Sequence, residues 1–288
     1  MKNKVVKILI VMMLFAGNSF ADNISIYLEN DVLNNSDKYY THGTRISCST
    51  NEGCSYHIGQ LMYTPSDISI TELMKDDRPY GGWLYASYVN YVTYEGYENW
   101  NGYYEYSIGV VGPKSFSGEV QAWVHENIDS REPMGWDNQL KNELAIQFLL
   151  KQEYMLTDKY SSLRPYCTVA LGNVFDYIGF GTTLYYGYNI PNGFIDNSIS
   201  MRNLSNFHIY FGLSWEGRLV ARNIFLDGNT CKDSHSVKKE NFVRDIDVSV
   251  SVGYKNLNLS LTHIMRSKEF KKQEESVKFD AIMLQWQW

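Results

Sequence analysis

Apolar and polar residues alternate along most of this chain with the two-residue period of a β-strand. Most of the alternating segments have about 9–15 residues, which matches or exceeds the ~9–11 that a tilted strand needs to cross a bilayer. The twelve predicted strands are 24–31, 39–49, 54–64, 80–94, 103–111, 143–156, 162–174, 178–188, 207–221, 243–254, 258–267 and 277–288.

The connections between these strands fall into two classes. Short turns at 51–53, 96–101, 158–161 and 254–257 alternate with longer connections at 33–38, 65–79, 112–142 and 223–241. A transmembrane barrel has short turns on one side of the membrane and long loops on the other. A soluble lipocalin-like barrel or a sandwich would also have alternating strands. The alternation of the connections favours the membrane protein.

The last segment supports the same choice. Ile282, Leu284, Trp286 and Trp288 share one parity, and the other parity carries Gln285 and Gln287. A strand with one wholly apolar face suits the lipid boundary of a barrel. We therefore predict an all-β fold, a twelve-stranded antiparallel transmembrane β-barrel, with residues 22–288 forming a single domain.

One stretch departs from the β-period. Between residues 119 and 140 the spacing becomes helical, and Gln121 and His125 lie four residues apart, so they share a helix face. The residues on helical spacing are Val120, Trp123, Val124 and Asn127. Pro133, Gly135 and Trp136 are expected to end the helix. We predict a short helix in an extracellular loop, either as a cap on the barrel or as the carrier of a catalytic histidine.

Composition agrees with a membrane barrel. Aromatic residues make up 15 % of the chain, with 23 Tyr and 7 Trp, and these rings are favoured where hydrocarbon meets water. The mean hydropathy is nevertheless only −0.33. Outward apolar residues alternating with inward polar ones produce this near-neutral average. A diffusion porin is the least favoured barrel type, because twelve strands enclose a narrow lumen that side chains largely fill.

The N-terminus resembles an export signal. Lys2, Lys4 and Lys7 precede an apolar run from 8 to 16, and Ser19-Phe20-Ala21 suits a cleavage site. We interpret residues 1–21 as a signal peptide and expect the protein in the outer membrane of a Gram-negative cell. Removal of this segment takes three lysines and no acidic residue from the chain, so the formal charge moves from −6 to −9. This acidic balance argues against a nucleic-acid partner.

Export also permits disulfides among the four cysteines. Cys48 and Cys54 flank a turn, so either a stapled hairpin or two reduced thiols would suit them. Cys167 and Cys231 have no evident pairing, and the spacing matches no zinc site.

Polar residues with catalytic potential lie at the long-loop ends of the strands. Asn30 and Asp31 offer oxygen ligands of the kind that calcium prefers, although Asn-Asp is also a common loop opening. His125 can take a proton from water, and Glu132 can hold its imidazole in one tautomer. A cation would then polarise an ester and stabilise the oxyanion. Lys75 and Arg78, in the second long loop, are either solvated or paired with lipid phosphates.

Several segments resemble the lipid A 3-O-deacylase family of outer-membrane barrels. The specific ones are the first hairpin, with Glu29-Asn30-Asp31 and Tyr40-Thr41-His42-Gly43, and the helical stretch 120–140. The further similar segments are 75–84 (KDDRPYGGWL), 109–113 (GVVGP) and 173–181 (NVFDYIGFG).

The resemblance implies calcium-dependent hydrolysis of the 3-position acyloxyacyl ester of lipid A, the membrane anchor of lipopolysaccharide, in the outer leaflet. It implies a general base at His125, a Ca²⁺ pair at Asn30 and Asp31, supporting roles for Thr41 and Gln121, and a phosphate contact at Lys75. The acidic residue of the family pattern falls at Arg131 here, so Glu132 requires a one-residue insertion, and Val32 replaces a second acid. We expect a monomer among outer-membrane lipids. The alternative is a non-catalytic lipopolysaccharide-binding or structural barrel.

Overall fold

The computed structural model describes residues 22–31, 38–50, 53–192 and 207–288. The predicted signal peptide, most of the connection 33–38 and most of the polar segment 189–205 lie outside the described residues.

The described chain is built from twelve long β-strands, one two-residue strand and two α-helices. The strands are β1 Asn23–Asn30, β2 Tyr39–Ser49, β3 Cys54–Thr64, β4 Gly81–Thr93, β5 Trp100–Val111, β6 Glu143–Tyr154, β7 Leu156–Thr157, β8 Ser161–Gly172, β9 Phe175–Tyr188, β10 His208–Asn223, β11 Phe242–Tyr254, β12 Leu257–Arg266 and β13 Val277–Gln287. The helices are α1 Ser117–Ile128 and α2 Ile224–Asp227, and Pro113–Ser115 and Trp136–Asn138 form single 3₁₀ turns.

The strands close into one antiparallel barrel. The first strand pairs with the last, with Asn23 opposite Gln287, and β6 pairs with β8, with Gln147 opposite Gly172. The short β7 continues β6 beyond Met155 and also pairs with β8. The barrel therefore has twelve strand positions and no open edge, as predicted, because each long alternating segment forms one strand.

The two ends of the barrel differ in their connections. The loops 65–80 and 112–142 lie at the end where β1 finishes, and the turns 94–99 and 255–256 lie at the opposite end. Two connections break the rule of loop length. Asn173 and Val174 alone join β8 to β9 at the long-loop end, and the segment 189–207 joins β9 to β10 at the short-turn end.

The outer and inner faces of the strands have opposite chemistry. On β13 the side chains of Ile282, Leu284 and Trp286 are exposed, while Met283 and Gln285 are buried in the lumen. This confirms the prediction that the last strand turns one apolar face to lipid. No helix in the described parts of the chain is both long and apolar enough to cross a membrane.

Aromatic residues and α2 fill the lumen near the long-loop end. Asn223 caps α2 by accepting a hydrogen bond from the Phe225 amide at 3.0 Å. The ring of Phe225 stacks on Tyr63 of β3 with centroids 4.2 Å apart. Tyr63 and Leu226 also line an internal cavity of about 290 Å³, whose lining includes the charged residues Glu29, Arg45 and Glu269.

All four cysteines are free thiols. The two that flank the first short turn are therefore not a staple. The Cys54 Sγ instead lies 3.1 Å from the Tyr88 hydroxyl on the neighbouring strand.

Candidate functional site

Helix α1 is the structural centre of the candidate site. It begins after Phe116 and ends at Ile128, because Asp129 adopts the left-handed conformation at φ 54° and its amide donates to the carbonyl of His125. The helix therefore stops before Pro133, where the sequence pattern placed its end. The remainder of the loop folds back along the helix as irregular backbone.

The buried face of α1 is polar. Ser117, Gln121 and His125 are buried, whereas Trp123 is 37 % exposed. The Gln121 Oε1 accepts a hydrogen bond of 2.7 Å from the indole Nε1 of Trp136. Trp136 packs in turn on Tyr80, with centroids 4.9 Å apart. Gln121 thus fixes the helix to the rim of the barrel.

His125 has a defined orientation. It is 7 % exposed, and its Nδ1 contacts the backbone carbonyl of Arg131. A carbonyl oxygen only accepts hydrogen bonds, so Nδ1 carries the proton and Nε2 is the basic nitrogen of the neutral ring. The backbone of the loop therefore selects the tautomer that a general base requires.

Glu132 was expected to hold the imidazole at that nitrogen. The structure places the Arg131 carbonyl there, and Glu132 is exposed on the wall of the cleft that His125 also lines. The resemblance placed an acidic side chain at the position of Arg131, and in the structure the backbone carbonyl of that position is the atom that contacts the imidazole. This contact cannot be predicted from the sequence, because every residue has a backbone carbonyl.

The cleft between α1 and the returning loop has a volume of about 1000 Å³. Gly118, Trp123, Trp136 and Gln139 contribute to its walls. Its titratable lining, apart from His125, is wholly acidic and consists of Glu119, Glu126, Asp129, Glu132 and Asp137. The sequence pattern did not predict this concentration of carboxylates. A cleft of this charge suits a neutral ester with a nearby cation and repels phosphate.

Asn30, Asp31 and Thr41 come together at the long-loop end of the paired strands β1 and β2. The Asn30 amide nitrogen donates to the Thr41 carbonyl at 3.3 Å, and the Thr41 hydroxyl lies 2.7 Å from that of Thr64. Asp31 is fully buried, and its Oδ2 accepts from the Lys38 amide at 3.0 Å. The pairing of β1 with β2 therefore produces the juxtaposition that the hairpin sequence predicted.

The oxygen chemistry of this rim fits a hard cation. The Asn30 amide nitrogen points toward the Thr41 carbonyl, and the Asn30 amide oxygen and the Asp31 carboxylate are the ligand types that calcium prefers. Within the described ranges no group of three or more His, Cys, Asp or Glu side chains is arranged to hold a metal ion. Calcium at Asn30 and Asp31 would thus depend on backbone and water oxygens for its other ligands.

Lys38, whose amide binds Asp31, also forms an ion pair. Lys38 is paired with Glu275 in the loop after β12. The hydrogen bond and the charge of Lys38 hold the pKa of the Glu275 carboxyl below its usual value, and Glu275 raises the pKa of Lys38. This contact ties the first outer loop to the last.

The two basic residues expected at lipid phosphates occupy different environments. Lys75 is exposed, as a lipid contact requires. Arg78 is fully buried, pairs with Glu269 at 3.1 Å, and lies over the Tyr63 ring at 4.3 Å. Because its guanidinium finds a carboxylate and an aromatic face beneath the loops, Arg78 does not reach the surface on which we expected it.

The chain is similar to a family of outer membrane proteins and to solved β-barrel structures. A family model described as outer membrane protein LpxR matches residues 5–288. Among solved structures, LpxR from Salmonella typhimurium is 20 % identical, with 92 % of this chain and 100 % of that chain covered and a TM-score of 0.80. The β domain of the Bordetella autotransporter BrkA is 10 % identical, with 94 % and 100 % covered, but its TM-score is only 0.46. No curated protein matches the chain.

Proposed function

Because the chain belongs to the LpxR outer membrane protein family, the lipid A 3-O-deacylases, we propose that it removes the 3-O-linked acyloxyacyl chain of lipid A by calcium-dependent hydrolysis, with His125 as the general base. Family membership makes the protein an ester hydrolase of the outer membrane. The observation that best supports the finer proposal is the buried His125, oriented by the Arg131 carbonyl beside an open cleft at the barrel rim.

The reaction needs one water and one base. The Nε2 of His125 takes a proton from water, and the resulting hydroxide attacks the carbonyl carbon of the 3-O ester. The bond between that carbon and the sugar oxygen then breaks, and the imidazolium returns the proton to the leaving alkoxide. The products are an acyloxyacyl carboxylic acid and lipid A with a free 3-hydroxyl. No protein nucleophile is required.

The neighbouring residues assist by position and charge. Glu132 contributes a carboxylate to the wall of the cleft that His125 also lines. Gln121 holds α1 against the barrel through Trp136, which keeps His125 at a fixed height above the rim. Thr41 orients Asn30 through its backbone carbonyl.

The proposed cation site is the Asn30 amide oxygen with the Asp31 carboxylate. When bound there, calcium supplies the positive charge that stabilises an ester oxyanion. The exposed Lys75 is proposed to contact a phosphate of the lipid. One chain carries every residue of this site, so we propose a monomer as the active form.

Lipid A mass spectrometry tests the proposal. Purified protein in detergent micelles, given calcium and lipopolysaccharide, is expected to lighten lipid A by one acyloxyacyl chain. His125→Ala is expected to abolish the mass shift while the barrel retains its heat-modifiable migration in gels. His235→Ala is the matched control, because the Nε2 of this outer-loop histidine donates to the Asp77 carbonyl and His235 does not line the cleft. A folded wild-type protein that leaves lipid A unchanged would refute the hydrolysis, and an active His125→Ala protein would refute the base.

A further inference from the structure

Three lysines gather around Asn142 at the outer rim, where β6 begins. The Lys114 amide donates to the Asn142 Oδ1 at 2.7 Å, and the Lys232 ammonium donates to the Asn142 carbonyl. Lys141 is the preceding residue, and its backbone is tied to Asn229 by hydrogen bonds of 2.8 Å in both directions. We name Lys114, Lys141 and Lys232 the Asn142 lysine cluster. It joins the loop of α1 to the loop after β10.

The positive charge of this cluster is not neutralised by ion pairs. Within the described ranges none of its lysines pairs with a carboxylate, although four other lysines at this end of the barrel do, namely Lys38, Lys239, Lys271 and Lys272. The adjacent acid, Glu143, is held by neutral donors: the Asn173 amide at 2.9 Å, the Asn229 amide at 3.0 Å and the Thr230 backbone at 2.9 Å. The Glu143 carboxylate is thus bound by neutral donors and not by these lysines, which leaves the lysines for another anion.

Apolar side chains lie next to the cluster on the lipid-facing surface. Leu144 and Ile146, the outward residues at the start of β6, are 61 % and 57 % exposed. Phe116, two residues after Lys114, is 51 % exposed. Exposed ammonium groups above exposed apolar surface match the boundary between head groups and acyl chains. The ligand that fits this arrangement is a lipid with an anionic phosphate on its head group.

The position of the cluster relative to the cleft indicates which lipid this is. The acidic cleft repels phosphate, so a phosphorylated substrate whose ester lies beside His125 needs a cationic site outside it. Lys114 lies in the turn that leads into α1, and from Ser117 to His125 the helix rises about 12 Å. A phosphorylated disaccharide is long enough to bridge such a separation.

We propose that the Asn142 lysine cluster binds a phosphate of the lipid A substrate while its 3-O ester lies beside His125. This inference rests on the proposed function and adds a specificity site to it. Three ammonium groups act as point charges on one phosphate, and each exposed contact is weakened by salt. Their combined removal should therefore affect binding of phosphorylated substrate and leave the chemical step intact.

The test compares two triple variants of equal charge. Lys114→Gln, Lys141→Gln and Lys232→Gln together remove the cluster. The control combines Lys238→Gln, Lys268→Gln and Lys271→Gln, which are exposed lysines in the loops after β10 and β12. KM and kcat are measured in micelles at fixed calcium and ionic strength, with bisphosphorylated lipid A and with each of the two monophosphorylated forms.

For bisphosphorylated lipid A, loss of the cluster is expected to raise KM roughly tenfold, with kcat within about twofold of wild type. One monophosphorylated form, which lacks the bound phosphate, should already show the raised KM in wild type and should be insensitive to the triple substitution. The control triple variant should leave KM unchanged for all three lipid A substrates. An equal effect of the two triples, no effect of the first, or equal sensitivity of both monophosphorylated forms would overturn the inference.

A binding measurement keeps this inference separate from the hydrolysis. Lipid A binding is measured in the His125→Ala background, with and without the cluster substitutions, so that no turnover is needed. If wild type cleaves nothing but the substitutions weaken this binding, the proposed function fails and the phosphate site stands. If wild type is active and binding does not depend on the cluster, the phosphate site fails alone.

Discussion

A buried ion pair connects the loop after β3 to the loop after β12. Arg78 Nη1 lies 3.1 Å from Glu269 Oε2, and the two side chains are 0 % and 6 % exposed. Arg78 also lies over the face of Tyr63, with 4.3 Å from its Cζ to the ring centroid. We expect Arg78→Met to destabilise the outer cap strongly, because it leaves the Glu269 carboxylate buried without its cation.

The magnitude follows from the cost of a lone buried charge. Breaking one side of a buried pair typically costs about 3–5 kcal/mol. Loss of the cation over Tyr63 removes a further ~0.5–2 kcal/mol when that contact is desolvated. Glu269 lines the internal cavity, where water can solvate it in part, so we expect the lower part of the summed range, about 3.5–4.5 kcal/mol in total.

Replacing both partners of the ion pair should lower the free energy of unfolding by less than replacing one. The Arg78 Nε and Nη2 atoms have no hydrogen-bond partner in the part of the chain that the structure describes, so the pair is only partly compensated for its desolvation. Arg78→Met combined with Glu269→Met removes both charges and keeps apolar volume. The double variant is therefore expected to be more stable than either single variant.

Wild type, the two single variants and the double variant form a double-mutant cycle. Their free energies of unfolding are measured by urea unfolding in detergent micelles, followed by tryptophan fluorescence. The midpoints are compared at a common m-value, and KM for lipid A is measured on the folded proteins. We expect Arg78→Met to leave KM unchanged and Lys75→Gln to raise it. Additive single costs, or a cost of Arg78→Met below about 1 kcal/mol, would contradict the burial argument. A raised KM with unchanged stability would mean that Arg78 reaches the substrate.

Three further predictions concern the cap, the metal and pH. Phe225→Ala should destabilise the protein by about 3–5 kcal/mol in urea unfolding, since it vacates the stack inside the lumen, whereas Phe242→Ala, on the lipid-facing surface, should have little effect in micelles. A calcium chelator should abolish hydrolysis without changing heat-modifiable migration, and Asp31→Asn should raise the calcium concentration needed for half-maximal activity; activity in the absence of calcium would refute that site. The depressed pKa of Glu275 means that its pair with Lys38 stabilises the protein above the ordinary carboxyl pKa and that this contribution is lost as pH falls through the depressed value. Glu275→Gln should therefore abolish that part of the pH dependence of unfolding, and an unchanged pH profile would count against the pair.

Alternating polarity by itself determined the barrel. A period of two assigns every strand residue to the lipid or to the lumen, and a shift by one residue would reverse both faces. Ile282 and Leu284 therefore face lipid as predicted. The observed strands differ from the predicted ones only at their ends; β5, for example, begins at Trp100 where the sequence predicted residue 103. The juxtaposition of Asn30 with Thr41 was equally predictable, because antiparallel neighbours joined by one loop must meet at its base.

Tertiary structure decided the chemistry around the helix. The helical spacing put Gln121 and His125 on one face of α1 but did not show that this face is the buried one. It is buried because polar partners from the rim and the returning loop meet it. The atom that orients His125 is a backbone carbonyl, which no residue type encodes.

Contacts between the outer loops also could not be predicted from local sequence, because they join residues far apart in the chain. Arg78 pairs with a carboxylate 191 residues away, and Lys232 contacts a carbonyl 90 residues away. Whether a basic residue in a loop is buried against an acid or presented to a lipid depends on which other loop folds over it. Local sequence determines the strands because their partners follow from order along the chain, whereas loop contacts depend on the closed barrel that brings distant loops to one rim.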